Sequence, residues 1–509
     1  MTHPLQEYGE TSKAPDPCIL VIFGATGDLT ARKLMPAIYN LKREGQLPSQ
    51  FACVGFARRE KNHEVFRSEM KEAVSEHSRV KPLDNSLWKS FESQLFYHQS
   101  EFDDDQGYER FKDLLNKLDS QFGTKQNRVY YLSTQPSFFP KIIEKLKSHE
   151  LIYDDLNEEK FSRVIIEKPF GHDIDSALAL QKDLLNHLKE KQLFRIDHYL
   201  GKETVQNLLV FRFGNSLFES LWNNRYIDHI QITVAEDIGI GTRGRFYEEQ
   251  GLVRDIMQNH MMQLLSLVAM EPPANLMPSS IHDEKIKVLH SIRPLSNNDM
   301  ETHAIRGQYG PGFVGGEACK GYREEENVAD DSMVETYAAI RFEIENWRWS
   351  GVPFYMRGAK RLPKRCTEIA VTFKDAPGAL FKDKCNKNEP NTLAIRIQPN
   401  EGIALKINCK VPGPTSPIQP VTMDFRYSSF FGLAPPEAYE TLICNAILGD
   451  DTLFTRQDEV FQSWRLFTPL LNYWRENPLK EFPNYQAGSW GPKKSDEMMA
   501  KDLRAWRLI

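Results

Sequence analysis

The stretch Arg195-Ile196-Asp197-His198-Tyr199-Leu200-Gly201-Lys202-Glu203 places an acid, an imidazole, a phenol and an ammonium within six positions, Asp197 to Lys202. His198, Tyr199 and Lys202 can all donate hydrogen bonds, and Lys202 carries a charge, so a phosphate suits them. The apolar lead-in Leu193 to Ile196 predicts a buried strand, and Glu203 to Val210 a helix. The polar cluster then falls where a strand ends and a helix begins, the position at which open α/β sheets hold ligands. A polar strand exit with a solvated lysine would carry the same residue types, so the surrounding elements decide.

A second group of residues with chemical content opens the chain. The apolar run Cys18 to Phe23 leads into Gly24-Ala25-Thr26-Gly27-Asp28-Leu29-Thr30, and Leu34, Ala37, Ile38 and Leu41 follow at helical spacing. Strand, glycine turn and helix predict the phosphate-cradling start of a dinucleotide fold. Gly24 and Gly27 are three apart, and Thr30 stands at the helix-packing position where a Gly or Ala is usual. The next apolar run, Phe51 to Ala57, ends in Arg58-Arg59. An acid there would bind the ribose hydroxyls of NAD, whereas arginine suits the 2′-phosphate of NADP. The arginine pair favours NADP, although Glu60 follows directly and keeps the NAD alternative open.

The elements that must position these groups alternate. Strand-like runs at Leu95–Phe102, Arg128–Ser133, Arg163–Glu167 and from Leu193 are separated by helical patterns at Gly107–Leu118, Phe138–Leu146 and Asp175–Lys189. Six strands predict a Rossmann-type, doubly wound domain over residues 1–200. Lys168, just past a strand end and beside Pro169, is placed to face cofactor or substrate. Beyond residue 200 the pattern changes. Ile227–Val234, Thr336–Phe342, Glu368–Phe373, Thr392–Gln398 and Gly402–Asn408 alternate as antiparallel strands do, so residues 201–509 predict a large α+β domain. Residues 297–330 are the most loop-like.

In this half Gly251 to Leu265 predicts a helix whose polar residues include Arg254, Asp255, Asn259 and His260. On a regular α-helix Asp255 and His260 stand about 140° apart. Such a helix would not focus them on one atom, and acids and bases would have to converge from separate segments. The run Arg357 to Arg365 carries five cations in nine residues, which fits a solvated basic turn or the wall of an anion pocket.

Composition sets the limits. The 509 residues carry a net charge of −6, with 40% hydrophobic and 26% charged residues, and show no long basic run, which argues against non-specific nucleic-acid binding. No apolar run approaches a membrane span, and Met1 to Pro17 is polar without a signal-peptide core. The seven cysteines lack any paired spacing and fit free thiols in a reducing compartment. No metal-ligand spacing is present. A cytoplasmic enzyme is the expectation.

Taken in order, GATGDLT, GFARR, EKPFG, RIDHYLGKE, RDIMQNH, WRWSGVPFYMRGAK, IQPNE, WRLFTPLL and AGSWGP give the chain a close resemblance to the glucose-6-phosphate dehydrogenase family over nearly its whole length. The resemblance implies His260 as general base and Asp197 as the acid orienting it. It implies substrate binding by Lys168, His198, Tyr199, Lys202, Glu236, Asp255, Lys360, Arg365 and Gln398. NADP would be held by Gly24, Ala25, Thr26, Gly27, Asp28, Leu29, Arg58, Glu101 and Lys168. It further implies glucose 6-phosphate as substrate, a homodimer or homotetramer built on the α+β sheet, and a place at the start of the oxidative pentose phosphate pathway. Some members carry a second, structural NADP; Arg357, Arg396, Lys406 and Asp424 match that site, but Ala404 and Trp490 do not, and a second site is not predicted here. Ser133 to Pro136 and Phe139 also depart from the family pattern beside the cofactor. Two rivals are another sugar oxidoreductase of similar build and a non-catalytic NADP-binding scaffold. The phosphate-suited cluster argues against the first, and the presence of both His260 and Asp197 against the second.

Overall fold

In the computed structural model, residues 15–153, 160–376, 389–413, 418–432 and 435–509 are described. The chain divides into two compact units. One comprises the chain up to Gln206 together with Pro273–Asp283 and Pro435–Phe461; the other comprises Asn207–Pro272, Glu284–Ala434 and Gln462–Ile509.

Six parallel strands form the centre of the first unit: β1 (Cys18–Phe23), β2 (Phe51–Ala57), β3 (Leu95–Gln99), β4 (Arg128–Leu132), β5 (Ser162–Ile166) and β6 (Leu193–Arg195). Their order, β3-β2-β1-β4-β5-β6, is doubly wound, with the reversal between β1 and β4. Every residue of β1, β2 and β4 is buried, as their continuous apolar runs require. Each fully buried Ile, Leu, Val or Phe there stabilises the sheet by about 1.5–3 kcal/mol relative to exposure. An acid at Val21 would remove that gain and bury a charge. The predicted helices are present with shifted ends. Gly107–Leu118 extends to Asp105–Phe122, and Asp175–Lys189 shortens to Ile174–Leu185, opened by an Asp173 side chain that accepts the Ser176 N–H at 2.8 Å.

The helix Ala438–Leu448 returns to this unit. It is fastened by Glu440, which is buried and accepts from Asn40 Nδ2 (3.0 Å), Arg79 Nε (2.7 Å) and Arg79 Nη2 (2.8 Å). A buried carboxylate without such donors would be costly, so the fold holds this helix through charge-assisted bonds.

The second unit is built on a mixed eight-stranded sheet. Its strands are β7 (Ile227–Ala235), β8 (Ala304–Gly307), β12 (Tyr337–Glu343), β13 (Pro353–Ala359), β14 (Cys366–Phe373), β15 (Thr392–Gln398), β16 (Gly402–Lys410) and β17 (Ile418–Arg426). Short strands β9 (Tyr309–Gly310), β10 (Gly312–Val314) and β11 (Glu317–Cys319) lie between β8 and β12. The order is β17-β16-β15-β14-β7-β13-β12-β8, and only β7 and β13 pair in parallel. Two features depart from expectation. Residues 297–330 are not simply loop: they include the helix Asn297–Thr302, the edge strand β8 and the β10–β11 hairpin. The basic run from Arg357 is not a free turn either, because Pro353–Ala359 is a wholly buried strand at the middle of the sheet. Six of the seven cysteines are free, and Cys385 lies outside the described residues.

Candidate active site

At the carboxyl end of β1 the chain turns at Gly24, whose φ of 80° lies in the left-handed region. A Cβ there would stand 2.2 Å from the Ser133 carbonyl oxygen, so the turn presses against the end of β4 in a way only glycine permits. The Gly27 N–H (2.9 Å) and the Thr30 hydroxyl (3.3 Å) both donate to the Gly24 carbonyl, and Thr30 is fully buried. The unusual Thr thus closes the turn by a bond that Gly or Ala could not make.

Beside the turn lies a cleft of about 590 Å³, lined by Gly24, Thr26, Gly27, Arg58, Arg59, Glu101, Ser133, Thr134, Gln135, Phe138 and Lys141, among others. Three cations and the amide groups of a strand-to-helix turn are the donor set a dinucleotide phosphate needs. Arg58 and Arg59 stand at the end of β2 and line the cleft, whereas Glu60 does not, and this donor set fits the 2′-phosphate of NADP. Ala25 is fully buried beneath Gly55, Leu29 is half-buried, and the Asp28 carboxylate points to solvent, 3.7 Å from Arg32. Phe139 lies wholly in the core, and its neighbour Phe138 is the ring that faces the cleft.

The same carboxyl edge of the sheet carries the polar stretch after β6. The chain leaves the strand in a turn fixed by the Tyr199 N–H on Asp197 Oδ1 (3.0 Å), the Leu200 N–H on the Asp197 carbonyl (3.0 Å) and the Lys202 N–H on the Tyr199 carbonyl (3.1 Å). Asp197 is 2% exposed, whereas His198 and Lys202 are half-buried. The Lys202 ammonium lies 5.3 Å from the Tyr199 ring centroid, and the His198 and Tyr199 rings are 5.2 Å apart. A cation, an imidazole and a phenol therefore share one small region, as a phosphate site requires.

Next to it stand residues that local sequence patterns do not reveal. Tyr439, from the helix Ala438–Leu448, stacks on His198 at 6.4 Å and 20°. Its hydroxyl and that of Tyr131 (2.5 Å) hydrogen-bond Glu167, one residue past β5. Burial pushes the Glu167 carboxyl up, and the two hydroxyls and Lys168 oppose that shift. Lys168 is half-buried at the same strand end, and its bond to Pro169 is cis.

The second unit builds its own cluster at one rim of the large sheet. Because β7 and β13 are parallel, with Ala235 opposite Ala359, the next residues on each, Glu236 and Lys360, emerge together. The Glu236 N–H donates to the Ala359 carbonyl at 2.9 Å, and the Lys360 ammonium hydrogen-bonds the Glu236 carboxylate. The ammonium is 2% exposed and lies 3.5 Å from Asp255 and 5.5 Å from the Tyr247 ring. Arg365 precedes β14 at this rim and is exposed, and Gln398 ends β15, donating to Thr367 Oγ1 at 3.2 Å.

Asp255 and His260 share one element, but not the regular helix expected. Val253–Met261 is π-helical. Its i→i+5 bonding brings residues five apart to the same side, so the separation of about 140° calculated for an α-helix does not hold. Within this stretch, Asn259 Nδ2 donates to the Arg254 carbonyl at 3.0 Å while Asn259 Oδ1 accepts the His260 N–H at 2.7 Å. His260 is 2% exposed. The cations that match a second nucleotide site are engaged within the chain. Arg357 is buried, 5.0 Å from the Trp490 ring and 4.4 Å from that of Trp506. Arg396 pairs with Asp424 at 2.7 Å and Lys406 with Glu389 at 2.7 Å.

Comparison with known proteins matches both halves of the chain to one family. Residues 21–207 match the family model "Glucose-6-phosphate dehydrogenase, NAD binding domain" and residues 209–507 match "Glucose-6-phosphate dehydrogenase, C-terminal domain". The chain is 54% identical over 516 residues to the glucose-6-phosphate 1-dehydrogenase of Chlamydia pneumoniae, covering all of both chains. It is 43% identical over 497 residues to that of Bacillus subtilis, covering 98% of this chain and 99% of the relative. A solved glucose-6-phosphate dehydrogenase in complex with its substrate superposes with a TM-score of 0.88 at 38% identity, covering 98% of this chain and all of the other. The enzyme from Mycobacterium avium gives 0.79 at 34% identity, covering 97% and 99%. With the glycine turn, the arginine pair and the acid–imidazole–lysine stretch all within the matched spans, the chain belongs to the glucose-6-phosphate dehydrogenase family of oxidoreductases.

Proposed function

We propose that this chain oxidises glucose 6-phosphate to 6-phosphoglucono-lactone with NADP as cofactor, the first step of the oxidative pentose phosphate pathway. The observation that carries the reading is the turn Asp197–Lys202 at the same sheet edge as the glycine turn and the Arg58–Arg59 pair: a sugar-phosphate site and a dinucleotide site on one scaffold. Residues 1–200 form the NADP-binding domain and 201–509 the substrate-binding and oligomerisation domain. The enzyme works in the cytoplasm as a homodimer or homotetramer.

When bound, NADP supplies the hydride acceptor; Gly24 to Leu29, Arg58, Glu101 and Lys168 hold it. His260 takes the proton from the anomeric hydroxyl as a neutral imidazole, a base whose ordinary pKa lies near working pH. Asp197 orients that base and stabilises the imidazolium. His198, Tyr199 and Lys202 bind the phosphate through charge-assisted hydrogen bonds. Glu236 and Asp255 accept from sugar hydroxyls, with the Lys360 ammonium in contact with both carboxylates. Arg365, Gln398 and Lys168 complete the substrate site. The position of the sugar is thereby set before the proton moves, which is where much of the barrier is removed.

The test is NADPH formation from glucose 6-phosphate, with NAD and unphosphorylated glucose run in parallel. Turnover with NADP and the phosphorylated sugar, and little with the others, is expected. Strong turnover with NAD would overturn the role given to Arg58, and turnover of plain glucose would overturn the phosphate site.

A further inference from the structure

Gly251, with φ 62° and ψ 179°, kinks the helix Gly244–Leu252 just before the π-helical stretch Val253–Met261 begins. A Cβ there would lie 2.5 Å from the Oε1 atom of Glu335, a buried residue two positions before β12. The Glu335 carboxylate accepts the Val253 N–H at 3.1 Å, and its carbonyl accepts the Leu252 N–H at 3.1 Å. A helix start leaves its first N–H groups without partners in the helix, and a negative group there also meets the positive end of the helix dipole. The next residue, Thr336, faces the other way: its carbonyl accepts the Lys360 N–H at 2.9 Å, and its hydroxyl oxygen accepts the Tyr309 N–H at 3.0 Å. One dipeptide therefore fastens the start of the segment bearing Asp255 and His260 and, on its other side, the backbone of Lys360.

We infer that Glu335 is a positioning residue for the sugar-binding and proton-accepting groups, setting where Asp255 and His260 stand relative to Lys360. This rests on the roles proposed above for those three residues. Burial pushes the Glu335 carboxyl up, and the Val253 N–H opposes that shift, so the group keeps its place through the bond it accepts. The arrangement also explains a glycine at 251, since any side chain would displace the carboxylate it leans on.

The experiment compares Glu335→Ala and Glu335→Gln in the full chain, with steady-state kinetics and hydrogen exchange over residues 252–262. Alanine should lower kcat about tenfold and raise KM for glucose 6-phosphate about fivefold while leaving KM for NADP within about twofold. It should also speed exchange in that segment. Glutamine keeps an acceptor oxygen and should restore kcat to within about threefold, with exchange close to wild type. The inference is overturned if alanine leaves kcat and exchange unchanged, if folded glutamine is as damaged as alanine, or if KM for NADP shifts as far as that for the sugar. Should the alanine variant fail to fold, glutamine decides on both readouts: near wild type supports the role, and loss of both refutes it. A wild-type chain that does not oxidise glucose 6-phosphate would instead sink the proposed function, and the exchange comparison would still report on Glu335.

Discussion

Lys360 shows how tightly chemistry and stability are joined at single residues. Its ammonium is 2% exposed and stands between the Glu236 and Asp255 carboxylates. Lys360→Met would leave two carboxylates facing each other in a partly dry site, and removing one partner of a buried pair costs about 3 kcal/mol. Urea denaturation should register that loss, and KM for glucose 6-phosphate should rise in the folded fraction; a variant as stable as wild type would show that the carboxylates hydrate freely. His260→Asn should cut kcat by about 10²–10⁴, the usual share of a general base, while calorimetric binding of sugar phosphate and NADP persists. Retained turnover would move the base elsewhere. Arg58→Ala should raise KM for NADP about tenfold and leave KM for NAD unaffected, because only the former carries the phosphate that a guanidinium would grip. Equal effects on both cofactors would mean that Arg58 supports the cleft rather than selecting its occupant.

At the level of elements, the sequence is most readable where one local pattern decides the outcome. The runs Cys18–Phe23 and Phe51–Ala57 are buried on both faces and stand out as apolar blocks, and the turn between the first strand and its helix is announced by Gly24 and Gly27. The strand Pro353–Ala359 is equally buried, but it begins with proline, contains Arg357 and runs into a basic segment, so its composition conceals it. No periodicity signals the π-helical stretch around His260, because the wider bonding pattern answers to tertiary packing and to the caps at Glu335 and Asn259. Tyr439 could not be foreseen beside His198, since more than two hundred residues of chain separate them. The chain end gives an element-scale prediction of its own. Asp228, in β7, accepts from His229 (2.6 Å) and from Arg504 at 2.8 and 2.9 Å, and Arg507 reaches Glu368 at 2.7 Å. Burial alone would push the Asp228 carboxyl up, but the His229 and Arg504 bonds outweigh it and hold the group well below the usual carboxylate range. A depressed folded-state value means stability that is fully present above the unfolded value, near 4, and lost as pH falls through the folded one. Asp228→Asn should therefore cost about 1 kcal/mol at pH 7, kept small because the pair is partly solvated, and the difference from wild type should shrink steadily as pH falls below 4. Urea midpoints measured from pH 7 down to pH 2.5 would show it, and a gap constant with pH would assign the effect to packing.

For the whole molecule, the edge of the large sheet at β17, which pairs with no further strand among the described residues, is the feature that stands out. β17 runs nine residues from Ile418 to Arg426, pairs with β16 on one side, and is exposed or half-buried along its entire length. Val421 is 43% exposed and Met423 53%, and the short helix that follows, Tyr427–Phe431, adds Phe430 at 74% and Phe431 at 59%. A long edge strand flanked by exposed aromatic rings is a hazard that soluble chains ordinarily cover, and a contiguous apolar patch of this kind marks an association surface. A second copy of this chain is the partner proposed here, because most oligomers of soluble enzymes are closed assemblies of identical subunits. Light scattering on the eluting protein should then give a multiple of 58.8 kDa, and the double substitution Val421→Glu with Met423→Glu should shift it to a single chain without unfolding it. Charges at two positions of that strand would have to be desolvated on pairing, at a cost of several kcal/mol per buried ion. The chain core lies elsewhere in the sheet, so circular dichroism and NADP binding should be retained. A wild-type protein that elutes as one chain, or a double variant that keeps the assembled mass, would remove this edge from the interface and leave its apolar residues without a partner of the same kind.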